Sequence, residues 1–188
     1  MSAKTDLPEP KPEPKPGPHD GNMRWRFDCR GGDAVIEVRQ AGRADLDAID
    51  AIELDSFTAD RFARRNLRRM LVAGKTRFLL ARIGGDPAGY LALAFRGTSA
   101  ISRIYSIAVA PQHRGAGVAR AMLGAAIDLT ARRGCGKIRL EVRKSNTKAI
   151  GVYQNAGFHL RGVREAYYED GEAALLFEAD APHRSGER

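Results

Sequence analysis

A mixed α/β domain is what the sequence predicts, and three observations predict it. Stretches with the two-residue alternation of strands are interspersed with stretches of helical spacing. A strand that is apolar on both faces, Ile101–Val109, runs through a glycine-rich turn into a long helix from Val118 to about Arg133. A further strand then follows at Lys137–Val142. Such a strand, helix, strand unit implies a parallel pair with a right-handed crossover inside an otherwise largely antiparallel sheet.

Each element has a local reason. Ala34–Val38 reads as a short strand, and from Arg43 the residues Leu46, Ile49 and Ile52 recur at helical spacing up to Ser56. A second helix is expected from about Asp60 to Val72, with Phe62, Leu67 and Met70 apolar and arginines outward, until Gly74 stops it. Thr76–Ile83 and Ala88–Phe95 flank the turn signal Gly84-Gly85-Asp86-Pro87, which predicts a hairpin. Both faces of Ile101–Val109 are largely apolar, so this strand should lie mid-sheet. In the helix after the glycine-rich turn, Val118, Met122, Ala125 or Ala126, and Leu129 share one face. A short helix from about Asn146 to Asn155 and two last strands, Phe158–Arg164 and Ala173–Phe177, complete the pattern.

Six of the nine prolines lie between Pro8 and Pro18, and residues 1–22 are almost devoid of apolar side chains. That composition predicts a solvated tail ahead of a folded domain over residues 34–180. With 43% hydrophobic residues the domain can bury a core without staples. Cys29 and Cys135 are far apart, with no Cys/His cluster, so neither a zinc site nor a disulfide framework is suggested. No apolar run approaches the ~18 residues of a spanning helix, and the N-terminus lacks a signal peptide's apolar core, so a cytoplasmic protein without membrane contact is expected.

Lys and Arg number 31 against 23 Asp and Glu, a formal net charge of +8, which suits an anionic partner. The tail is not the source, because Lys4, Lys11 and Lys15 are countered by Asp6, Glu9, Glu13 and Asp20. The excess is densest in Arg61, Arg64, Arg65, Arg68, Arg69, Lys75 and Arg77. A nucleic-acid surface would add interleaved aromatics or a groove-reading motif. Neither is present, so a solvated helix face is the plainer reading.

The chemistry sits in two motifs. Arg114-Gly115-Ala116-Gly117-Val118-Ala119-Arg120 joins the central strand to the long helix through small residues, the arrangement in which first-turn amides and the helix dipole favour an anion. It is not a Walker loop, since no Gly-Lys-Ser/Thr follows, and Ala116 and Val118 break the dinucleotide GxGxxG spacing. The stretch resembles the acetyl-CoA pyrophosphate loop of the GNAT superfamily of N-acetyltransferases. Leu140-Glu141-Val142-Arg143-Lys144-Ser145-Asn146 and Ala149-Ile150-Gly151-Val152-Tyr153-Gln154-Asn155-Ala156-Gly157-Phe158 resemble that family's next strand and helix. This wording, with Ser106-Ile107-Ala108-Val109 and Tyr167-Tyr168, is similar to the branch that acetylates protein N-termini, the ribosomal-protein alanine N-acetyltransferases (RimI).

The resemblance implies a GNAT fold whose central parallel pair splays apart. Backbone groups of Ile107, Ala108 and Val109 would pair with the pantetheine arm of acetyl-CoA, and amides from Gly115 to Arg120 would cradle its pyrophosphate. Asn146 would bond the cofactor near that arm. It further implies direct transfer of acetyl to a primary amine, most readily the N-terminal α-amine of a protein or peptide, with Glu141 as base through a water and Tyr153 as acid. Tyr167 and Tyr168 would help to hold the substrate. No metal is implied.

Plainer readings stand beside these. Taken alone, Glu141 is a solvent-face residue, Tyr153 core packing, Asn146 a helix N-cap, and Tyr167-Tyr168 an edge aromatic pair. His113 and His159 are isolated, and Ser106 has no legible His/Asp partner. The alternatives to N-terminal acetylation are a small-amine or lysine acetyltransferase, favoured by an anionic rim around the acceptor pocket, and a non-catalytic acyl-CoA or nucleic-acid-binding module. The region from Asp55 to Arg61 does not align with the RimI branch, and oligomeric state is not legible.

Overall fold

The structure, a computed structural model, describes residues 23–57, 61–97 and 99–182. The proline-rich tail expected over residues 1–22 lies outside the described residues, as does Asp60, the expected start of the second helix. The elements are β1 (Arg24–Asp28), β2 (Val35–Gln40), α1 (Leu46–Ser56), α2 (Arg64–Ala73), β3 (Thr76–Ile83), β4 (Asp86–Phe95), β5 (Ile101–Val109), α3 (Val118–Arg132), β6 (Lys137–Arg143), α4 (Thr147–Asn155), β7 (His159–Arg164) and β8 (Ala174–Asp180). The strands form one sheet in the order β1-β2-β3-β4-β5-β6-β8-β7. All neighbours are antiparallel except β5 and β6, which are parallel and joined by the crossover helix α3.

Strand β1 precedes residue 34, where the sequence reading begins. Its alternation Arg24-Trp25-Arg26-Phe27-Asp28 turns Trp25 and Phe27 toward the helical layer. There the Trp25 indole N–H donates to Asp128 of α3 at 3.0 Å.

Two apolar layers flank the sheet. On one face α3 and α4 pack through Val118, Ala121, Met122, Leu129 and Tyr153 against Leu91, Leu93, Ile138, Leu140 and Phe177. On the other, Ile49, Ile52 and Leu67 of α1 and α2 cover Phe78, Leu80, Tyr90 and Ala108. No buried member of this second cluster comes from β6, β7 or β8. That half of the face is therefore left without an apolar helical cover among the described residues.

The second helix starts at Arg64 rather than near Asp60, and Glu53 supplies the reason. This fully buried carboxylate of α1 accepts from the Phe62 amide at 2.6 Å, engaging an N–H just ahead of the helix. Glu53 also accepts from the Tyr90 hydroxyl, whose oxygen lies 2.8 Å from Ser106 Oγ. With its one proton directed at Glu53, Tyr90 must receive the proton of Ser106. Burial raises the pKa of both Glu53 and Tyr90.

Truncating Glu53 to Ala orphans the Tyr90 hydroxyl and the Phe62 amide, and should cost about 2–4 kcal/mol in urea unfolding. Because its folded pKa is raised, the native state binds more protons than the unfolded chain between the two values. This group's contribution to stability therefore falls as pH rises through the folded value. Glu53→Gln should flatten that part of the pH dependence; an unchanged profile would count against the buried carboxylate as its source.

Candidate active site

The parallel pair is short. β5 and β6 pair only at Ile101↔Lys137, Ser102↔Ile138 and Arg103↔Arg139. Beyond Arg103, β5 continues on β4 up to Gly89↔Val109, and β6 continues on β8 up to Arg143↔Ala174. Among the described residues the two strands thus separate over their C-terminal halves, and Ile107, Ala108 and Val109 line the open side. A bulge opposite Ala92/Leu93 falls at Tyr105, beside the point of separation.

At the open end β5 passes through a short turn into Arg114-Gly115-Ala116-Gly117. Gly115 and Gly117 have φ of 86° and 93°, a region that L side chains rarely adopt. Gly117 caps α3, and the first amide bonded into the helix is that of Ala121, to the Gly117 carbonyl at 3.0 Å. The amides of Val118, Ala119 and Arg120 lie ahead of this ladder, at a helix terminus of the kind that favours an anion. Arg114, Gly115 and Arg120 are exposed, and Ala116 and Ala119 half-buried. The Val118 side chain is buried in the core, so only its backbone is available to a ligand. The Arg30 amide donates to the Ala116 carbonyl at 3.0 Å, bracing the loop from the β1–β2 turn.

Glu141 and Tyr153 lie on opposite faces of the sheet. Ile138, Leu140 and Val142 point into the α3–α4 layer, so alternation turns Glu141 to the face bearing α1 and α2. Its Oε2 accepts from Arg103 Nε at 2.8 Å, and Arg103 Nη2 lies 2.8 Å from the same oxygen in the ion pair. Among the described residues Oε1 has no hydrogen-bond partner. Arg103 Nη2 also donates to the Tyr167 hydroxyl at 2.9 Å, tying the β7–β8 connection to β5. Tyr153 is buried beside Phe158 and Phe177, ring centroids 6.1 and 6.4 Å away. Burial, with a smaller effect of Tyr168, pushes its phenol up to about 12.

Asn146 caps α4, its Oδ1 accepting from the Ala149 amide at 3.1 Å. Tyr167 and Tyr168 form an edge-to-face pair with centroids 5.1 Å apart, and the Arg143 guanidinium sits 3.9 Å over Tyr168. Arg143 also bonds Asp170 at 2.7 Å and Glu172 at 2.9 Å, while Glu172 accepts from the Ser145 amide at 2.8 Å. Those bonds to Ser145, with help from Arg143, pull Glu172 down to about 2. The sequence reading missed Arg103, Glu172 and Glu53. Arg103 becomes legible once the parallel register is known, because Arg103↔Arg139 sets it diagonal to Glu141.

Of the arginine run, Arg64 is paired with Asp50 at 2.8 Å and with Asp47, both on α1. Arg65, Arg68 and Arg69 are exposed.

Residues 46–158 match the acetyltransferase (GNAT) family, over an architecture with the parallel pair, the glycine loop and the crossover helix described above. The chain belongs to the GNAT family. A putative ribosomal protein bS18-alanine N-acetyltransferase of Bacillus subtilis is 31% identical to this GNAT protein over 140 residues, 74% of this chain and 91% of its own. The N-alpha-acetyltransferase RimI of Mycobacterium tuberculosis is 30% identical over 71% of this chain and 84% of its own. A streptothricin acetyltransferase of Streptomyces lavendulae is 35% identical over 109 residues, 56% of this chain; the match spans only 58% of that enzyme. The crystal structure of the Escherichia coli ribosomal-protein-S18-alanine N-acetyltransferase superposes with a TM-score of 0.69 at 26% identity, covering 81% of this chain and 97% of that one.

The loop depends on one close approach. A Cβ on Gly89 of β4 would lie 2.8 Å from the Ala108 carbonyl, 2.9 Å from Met122 and 3.0 Å from Val118. Gly89→Ala should therefore displace the first turn of α3 and cost about 1–3 kcal/mol in urea unfolding. Gly136→Ala, with nothing within 4 Å of the new atom, is the control and should stay within about 0.5 kcal/mol. Equal effects of the two would show that the GNAT loop does not rely on this packing.

Proposed function

We propose that this protein is an acetyl-CoA-dependent N-acetyltransferase whose acceptor is a primary amine, the N-terminal α-amine of a protein or peptide, ribosomal-protein-type substrates included. The observation that carries the reading is the gap between β5 and β6, with Glu141 on one face and Tyr153 on the other. Similarity to a bacterial ribosomal-protein alanine N-acetyltransferase and to a bacterial N-alpha-acetyltransferase supports the choice of acceptor.

The residues present fit acetyl-CoA, which supplies the activated acyl group. Ile107, Ala108 and Val109 offer an unpaired strand edge to an extended arm. Amides from Gly115 to Arg120 hold the pyrophosphate at the positive end of α3, with Arg114 and Arg120 adding charge. Asn146, whose oxygen caps α4, keeps its amide N–H groups for the arm.

Glu141 Oε1 accepts the amine proton, directly or through a water, while Arg103 holds Oε2. Tyr153, kept protonated by burial across working pH, donates to the departing thiolate. An α-amine with pKa ~7.7–8.0 needs only this modest base, since a good fraction is already neutral. A second reading, a small-molecule amine as acceptor, is favoured by the 35% identity to streptothricin acetyltransferase.

Mass spectrometry of a mixed panel of peptides and small amines, read for which nitrogen gains acetyl, separates the two. Tyr153→Phe should lower kcat about 100-fold with little change in acetyl-CoA affinity. Glu141→Gln should slow turnover most below pH ~7.7, where little amine is neutral. With the phenol at about 12, kcat should stay flat from pH 8 to 10. Full activity in both variants would remove these roles.

A further inference from the structure

The helix-free half of the face bearing Glu141 holds a groove of about 230 Å³. Arg96, Arg103, Arg139, Arg161 and Arg164 line it, against Glu141 as the single lining carboxylate among the described residues. Beneath it the buried Glu178 accepts from Lys137 and from Arg139 at 2.5 Å, and lies 3.9 Å from Arg161. Arg103 is engaged by Glu141, and Arg164 rests 5.4 Å over the Tyr167 ring.

Among the described residues two carboxylates thus face five guanidinium groups, and Arg96, Arg161 and Arg164 remain solvent-exposed at the rim. Like charges gathered in a concavity raise the local potential and concentrate anions there, while repelling cationic ligands. The rim is the opposite of the anionic one that a cationic small amine requires.

Glu141 forms part of the wall, so whatever fills the groove lies beside the proposed base. Guanidinium groups pair with carboxylates in bidentate geometry. We infer that the groove selects acceptors that carry carboxylates near the reacting amine, foremost peptides with Asp or Glu in the residues after the first. This inference rests on the N-acetyltransferase reading and specifies its substrate class.

The test is a peptide series with one common first residue and acidic, neutral or basic residues at positions two to four, assayed on the full chain with acetyl-CoA. The acidic member should exceed the basic one in kcat/KM by about tenfold or more at low salt, with the gap narrowing as ionic strength rises. The double variant Arg161→Glu, Arg164→Glu should cut the acidic-to-neutral ratio about tenfold. Peptide turnover with no charge preference, or with a basic preference, overturns the inference and leaves the proposed function intact.

Acetylation of an α-amino dicarboxylic acid but of no peptide overturns the peptide reading and keeps the groove's preference for carboxylates. Acetylation confined to polyamines overturns both. Anisotropy of fluorescently labelled peptides in the presence of CoA reads the same preference without turnover. Binding there that is indifferent to acidic residues also overturns the inference.

Discussion

Only three residue pairs hold β5 to β6, and the arrangement of the site depends on their being so few. A parallel pair that stayed zipped to Val109 and Arg143 would leave no strand edge for a ligand and would close the passage between the two sheet faces. Past Arg103 each strand keeps the partner on its far side. β4 holds β5 to its end, and β8 holds β6 to Arg143. The insertion of β8 between β6 and β7 gives the detached half of the sheet its own hydrogen bonding, so the gap costs no unpaired strand on that flank.

The two layers on the sheet meet different demands. The α3–α4 side is packed closely through Ala121, Ala125 and Ala126, and Gly89 lets Val118 and Met122 approach β4. That closeness fixes the glycine loop at the end of the gap. The opposite side is apolar only as far as β5 and then becomes charged, with Arg103, Glu141 and the paired Glu178 in place of a helix. Glu53 marks the boundary, buried under α1 and linked through Tyr90 to Ser106 on the diverging strand. A polar chain that is fully partnered fixes the α1–α2 connection more specifically than apolar packing alone.

Much of the architecture was legible because the physics is local. The alternation in Thr76–Ile83, the turn at Gly84-Gly85 and the helical stripe from Val118 to Leu129 each specify an element without reference to the rest of the chain. β1 escaped notice because five residues with two apolar side chains make a weak signal; Trp25 and Phe27 acquire meaning only against α3. The start of α2 was misjudged for a related reason, since the Phe62 amide is engaged by a carboxylate nine residues earlier. In the candidate site, Glu141, Tyr153 and the glycine loop were readable as motifs. The arginines of the groove come from β5, β6, β7 and the β4–β5 connection, and nothing in their spacing shows that the sheet gathers them.

Arg103 joins these separate demands. Its guanidinium donates to one oxygen of Glu141 through Nε and reaches the Tyr167 hydroxyl with Nη2. A carboxylate on a sheet face next to four further arginines would collapse onto any of them if free to rotate. It is held at Oε2 by the neighbouring strand, and the cation that orients it also ties down the connection carrying Tyr167 and Tyr168. An Arg is suited to this position where a Lys is not, because only a planar fork presents donors in two fixed directions at once. The geometry of Glu141 and the order of the β7–β8 connection are therefore one property, set by a residue on the strand that diverges between them.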